Sequence, residues 1–98
     1  MSAAETPAYA VRLRSRRVQR ELDALQSSDR RRVLARLEAL AENPRPPGCE
    51  KLEDDIYRVR GGDIRILYRV DDEGRRVDVG AIRRRSEATY RGVGELFR

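Results

Sequence analysis

The apolar positions of this 98-residue chain change period twice, and the changes outline its elements. Tyr9, Val11 and Leu13 alternate with Ala10 and Arg12, the period of two that predicts a short strand over 8–13. Val18, Leu22 and Leu25 then recur at i, i+4 and i+7, predicting a helix over about 16–26 that Ser15 can cap. Ser27, Ser28 and Asp29 interrupt that stripe and can cap a second helix over about 30–42. Its apolar face is Val33, Leu34, Leu37, Leu40 and Ala41. Three prolines within Asn43–Gly48 forbid helix there, so that stretch is an extended loop.

Beyond the loop the period returns to two. Lys51–Glu53 reads as a short strand, and Ile56–Arg60 as a longer one. Gly61-Gly62 turns the chain into a strand over Asp63–Asp71. Asp72-Glu73-Gly74 then turns it into another over Arg75–Arg84. A last helix over about 87–97 sets Tyr90, Val93 and Phe97 on one side, weakened by Gly92 and Gly94. Residues 1–7 form a loose tail. The order predicts one α+β domain over 1–98: an N-terminal strand, a two-helix hairpin packed on a mostly antiparallel sheet, and a short C-terminal helix.

Composition limits the chemistry. Hydrophobic residues make up 39% and charged residues 40%, enough for one modest core. No uncharged apolar run is long enough to span a membrane. The chain has no His, which removes imidazole as acid, base or metal ligand. Its single Cys, Cys49, excludes intramolecular disulfides and thiolate zinc sites. A lone thiol and an N-terminus without signal-peptide character point to the cytoplasm. Lys and Arg number 22 against 17 Asp and Glu, a net charge of +5. That balance favours an anionic partner, nucleic acid or acidic protein, over the bland reading of a sheath kept for solubility.

Strand parity says where the arginines point. Tyr57 and Val59 share one face with Ile64, Ile66, Tyr68, Val70, Val77, Val79 and Ala81, and the helices need that face. The opposite face then carries Arg58, Arg60, Arg65, Arg69 and Arg84, with Asp78 as its only carboxylate. Arginines crowded on one open face repel unless an anion lies there. Guanidiniums match phosphate and stack on bases, and Tyr90 at the rim offers a ring, a combination that fits single-stranded RNA. The competing readings are a solvated face and, for Tyr90, simple packing of the last helix.

The stretches ENPRPPG (Glu42–Gly48), KLEDDIYRVRGGDIRILYRVD (Lys51–Asp71) and VDVGAIRRRSEATYR (Val77–Arg91), behind an arginine-rich hairpin, resemble the RelE/ParE superfamily of bacterial type II toxins. The resemblance runs from about Tyr9 to Tyr90. It implies a toxin whose RNA-cleaving branch cuts messenger RNA on the ribosome, without metal or cofactor. By matching positions it implies catalytic roles for Arg58, Arg60, Arg65 and Tyr90; strand parity selects Arg84 as the last catalytic basic residue, with Arg69, Arg83 and Arg85 binding RNA. Arg83 and Arg85 stay as alternatives to Arg84, because RRRSEATY leaves the register open. It also implies an antitoxin, which the basic surface predicts to be acidic and amphipathic, inserting apolar side chains where the helices meet the sheet.

Cleavage of this kind needs a base for the 2′-hydroxyl, stabilisation of the phosphorane, and an acid for the leaving 5′-oxygen. Arginine serves the second task and is poor at the others, since it stays protonated. The base is left among Glu53, Asp63, Glu87, Tyr90 and a ribosomal group, with Tyr90 read as orienting the substrate. Two other functions share the pattern: a ParE-like gyrase inhibitor without nuclease activity, and a module that only binds.

Overall fold

The computed structural model of the chain describes residues 8–87 and 92–97; the predicted tail over 1–7 lies outside them, as does Tyr90. The helical hairpin forms as α1 (Arg16–Asp23) and α2 (Ser27–Glu42). The Ser15 side chain accepts the Val18 N–H and caps α1. Helix α2 starts at Ser27 rather than near residue 30, so the two serines and Asp29 form its first turn instead of preceding it. Asp29 there complements the positive end of the helix dipole. Arg30 closes the hairpin by donating to the Leu25 carbonyl at 2.7 Å.

Five strands form one sheet: β1 (Ala10–Leu13), β2 (Glu50–Glu53), β3 (Ile56–Gly61), β4 (Ile64–Asp71) and β5 (Arg76–Arg84), in the order β1-β5-β4-β3-β2. Strands β2 to β5 are an antiparallel meander, and β1 joins β5 in parallel. Gly62, at φ +65°, takes the left-handed position of the β3–β4 turn, where a side chain would be strained. Both helices lie on one face. Val18, Leu22, Val33, Leu37 and Leu40 bury themselves there against Val59, Ile66, Tyr68, Val77 and Val79. Leu34, expected in that stripe, is 43% exposed because α2 turns it toward β1 and away from the sheet's middle.

The β4–β5 register slips once. Leu67 faces Ala81, whereas Tyr68 faces Val79, so Gly80 is the extra residue of a bulge. A bulge reverses the alternation beyond it. Ile82 therefore joins the helix-side core and Ala81 the opposite side, the reverse of the unbroken parity expected from sequence.

The C-terminal helix expected over 87–97 is replaced, among the described residues, by 3₁₀ turns at Arg85–Glu87 and Val93–Phe97. Val93 and Phe97 pack on Ile56, Leu67 and Ala81, making a second small core on the face away from the helices. The proline loop is tied down by side chains. Tyr68 donates its hydroxyl to the Pro44 carbonyl at 2.7 Å, and Arg45 Nε donates to the Tyr57 hydroxyl at 2.9 Å. The two Nη groups of Arg45 grip Asp72 at 3.1 and 2.9 Å, and the Tyr9 hydroxyl reaches the same carboxylate. These donors, Arg45 first, hold the Asp72 carboxyl down to a pKa of about 2, while burial pushes the Tyr68 hydroxyl up.

Candidate functional site

On the face away from the helices, β3, β4 and the far end of β5 set three arginines in one cross-strand row. Arg60 pairs with Arg65, and Arg65 with Arg83. Like charges directly opposite one another are destabilising, and no strand residue in the row is a carboxylate, although Glu21 of α1 reaches Arg83 from the side. An anion laid across the row relieves the remaining repulsion. The next row is Glu50, Arg58, Leu67 and Ala81, in which Glu50 holds Arg58 at 2.7 Å. The third joins Ile56, Arg69, Asp78 and Arg12. There buried Asp78 takes Arg12 at 2.9 Å and Arg14 at 2.8 Å, and the Arg69 guanidinium lies 5.6 Å from the Phe97 ring centroid.

The residues expected at the site divide accordingly. Arg60 is exposed at the β3 end of the row. Arg65 is only 6% exposed, and its Nη1 is folded onto the Gly62 and Ile64 carbonyls at 3.1 and 3.4 Å, which makes it a fixed floor. Arg58 is on the predicted face but ion-paired, and Arg69 is there but stacked on an aromatic ring. Arg84 is a correction. The bulge at Gly80 turns it to the helix side, opposite Ile64, where it meets Asp29 at 3.8 Å. Arg83 takes its place in the row. Arg85 is exposed in the following 3₁₀ turn, and Asp63 sits in the β3–β4 turn at the head of the row.

Sequence reasoning passed over two acidic residues. Glu50 is one residue outside the short strand read at Lys51–Glu53, and its pairing with Arg58 appears only with the β2–β3 register. Glu21 lies in α1, and its carboxylate meets the Ile82 N–H at 2.9 Å and Arg83 Nε at 3.3 Å. That contact spans some sixty residues of sequence, and no local pattern signals it.

A separate apolar groove of about 850 Å³ runs between β1 and α2, lined by Val11, Leu13, Leu34, Leu37 and Ala41, with Arg12 and Glu38 beside them. Among the described residues, no helix is long and apolar enough to cross a membrane, and no cluster of three or more acidic or sulfur ligands could hold a metal.

This architecture is similar to that of known toxins. The structure of the archaeal RelE–RelB complex from Pyrococcus horikoshii OT3 matches with 28% identity and a TM-score of 0.75, over 83% of this chain and 99% of that one. The toxin–antitoxin complex RelBE2 from Mycobacterium tuberculosis matches at 25% identity and a TM-score of 0.69, over 79% and 98%. The intact E. coli RelBE toxin–antitoxin complex matches at 26% and 0.68, over 79% and 96%. No curated protein sequence matches the chain significantly. The family profile described as "ParE toxin of type II toxin-antitoxin system, parDE" matches residues 13–89. That span takes in the helical hairpin, the meander and the whole arginine row, and with it the chain belongs to the ParE/RelE family of type II toxins.

Proposed function

We propose that this toxin is an endoribonuclease that cuts messenger RNA on the ribosome and so arrests translation in the cytoplasm. The cross-strand row Arg60–Arg65–Arg83 carries the reading. A phosphodiester lying along it meets two partly or fully exposed guanidiniums over a third that is held rigid by backbone carbonyls. Attack of the 2′-oxygen forms a bond to phosphorus and breaks the bond to the 5′-oxygen, leaving a cyclic phosphate. Charge grows on the non-bridging oxygens during that step, and fixed cationic donors stabilise it most there. The row offers no group that gives up a proton near neutral pH. Tyr90 takes the orienting role, and the proton transfers fall to groups outside the row, the ribosome among them. Dependence on the ribosome follows, since the substrate must arrive already bent for in-line attack.

The partner is an acidic antitoxin. The similar structures include complexes of RelE with RelB, and the groove between β1 and α2 is an apolar seat for one face of an amphipathic segment whose acidic residues meet the surrounding arginines. Association should slow as salt rises, while dissociation, governed by buried apolar contact, changes little.

The test is a cleavage assay on ribosomes programmed with a defined message, run beside a gyrase supercoiling assay. Cut message with normal supercoiling supports the proposal, and intact message overturns it. Tyr90→Phe should keep most activity and Tyr90→Ala should lose it; equal loss in both would assign the hydroxyl a proton. One observation favours a second reading, a gyrase inhibitor without nuclease activity. Arg58 and Arg65 already have partners inside the protein, as a binding scaffold permits and a catalytic cluster must overcome. Blocked supercoiling with intact message would establish it.

A further inference from the structure

Strand β1 is shorter than its neighbour. It pairs with β5 only as far as Val79, and Arg14 N–H adds a bond to the Val79 carbonyl. Among the described residues no strand lies beside the outer edge of β5 from Gly80 onward, and α1 takes over that edge with side chains. Arg17 Nη2 donates to the Gly80 carbonyl at 2.7 Å, and the Ile82 N–H donates to Glu21 Oε1 at 2.9 Å. The second oxygen of Glu21 receives Arg17 Nη1 at 2.9 Å and Arg83 Nε at 3.3 Å. One carboxylate thus joins the backbone of β5 to the last arginine of the row.

The choice of atom matters. A guanidinium held at Nε keeps its two Nη groups, and among the described residues the hydrogen bond of the Arg83 guanidinium runs through Nε. The Arg83 side chain keeps 27% of its surface open to solvent, so a substrate can reach it. Arg17 and Arg83 share the single carboxylate, which leaves the cluster cationic. Left untethered, a long arginine beside an unpaired stretch of strand would lose much of its rotamer freedom only on binding substrate.

We propose that Glu21 is a positioning residue: it fixes Arg83 by its Nε so that the Nη edge is aimed at the phosphate bound on the arginine row. This rests on the nuclease reading above. Misplacing one charged donor by about an ångström can lower a rate up to a hundredfold while binding barely changes. Arg17 contributes by pinning the same carboxylate from the helix side.

The experiment is a double-mutant cycle in single-turnover message cleavage on programmed ribosomes. Glu21→Gln keeps an oxygen for the Ile82 N–H and removes the charge. It should lower the saturating rate by roughly tenfold with the half-saturating concentration changed less than about twofold. In the Arg83→Ala background the same substitution should cost nothing further. An equal loss in both backgrounds makes Glu21 merely structural and overturns the proposal, as does a Glu21→Gln rate equal to wild type. The second readout needs no cleavage. The Arg83 Nε–H signal in ¹⁵N NMR should exchange slowly in the wild type and fast in Glu21→Gln. If that difference is present but no message is cut, the nuclease reading fails and the tether stands; if it is absent, the tether fails whatever the activity.

Discussion

The ring of Phe97 occupies the space a β-carbon on Gly80 would need: such an atom would lie 2.5 Å from Cζ and 2.6 Å from Cε1. The glycine is also the extra residue of the β5 bulge. The same position therefore seats the C-terminal turn and flips the strand beyond it, and the flip decides which of three consecutive arginines reaches the open face.

That relationship separates Arg83 from Arg84. Arg83→Ala should lower message cleavage by about a hundredfold, as loss of one fixed donor does. Arg84→Ala, on the helix side, should stay within a few-fold of wild type. Single-turnover rates of both variants check this, and the reverse order would refute the register assignment.

Gly80→Ala should destabilise the fold by about 1–3 kcal/mol, because the added methyl overlaps a buried ring. The cost should shrink when Phe97 is also changed to Ala. Urea denaturation of the two singles and the double measures the coupling; additive losses would mean that the ring and the glycine do not compete for space.

The carboxyl of Asp72 has its folded pKa held at about 2, below its unfolded value, chiefly by Arg45. A depressed carboxylate contributes stability above the unfolded pKa and loses it as pH falls through the folded one. Asp71 shifts in the same direction through the Gly74 N–H and Arg76. Stability should therefore fall between about pH 4 and pH 2, and less steeply in Asp72→Asn. Thermal midpoints across that range test it; identical slopes would remove the Arg45–Asp72 clasp from the account.

Tyr68→Phe should cost about 1–3 kcal/mol, since it strips the hydroxyl donor from the carbonyl of buried Pro44. Denaturation midpoints should fall with cleavage unchanged, because Tyr68 faces the helix-side core and not the arginine row.

The sequence by itself determined what is local and periodic. Alternation in Ile64–Val70 put Ile66 and Tyr68 on the core side and Arg65 and Leu67 on the other, as the structure has them. Ser15, the stripe of Val18 and Leu22, and the prolines after Asn43 marked one helix start, one helix face and a loop, because capping, helical period and a missing N–H act within a few residues. The strand order could not be read this way. That β1 would lie parallel beside β5 depends on how the hairpin packs, and the contact joins residues more than sixty apart. The place of Arg84 was lost to a single inserted residue: parity arithmetic assumes an unbroken ladder, and a glycine in VDVGAIRR looks the same whether it is bulged or paired. The β4–β5 register settles it, and the Phe97 ring packed against that glycine leaves no space for a side chain there. The C-terminal turn likewise reads as a weak helix in sequence, because Gly92 and Gly94 speak only to local propensity, while burial of Val93 and Phe97 on the sheet fixes its form. Glu21 belongs wholly to the tertiary structure, since what it holds, the Ile82 N–H and Arg83, lies some sixty residues away in sequence and meets α1 only through the packing of that helix beside β5.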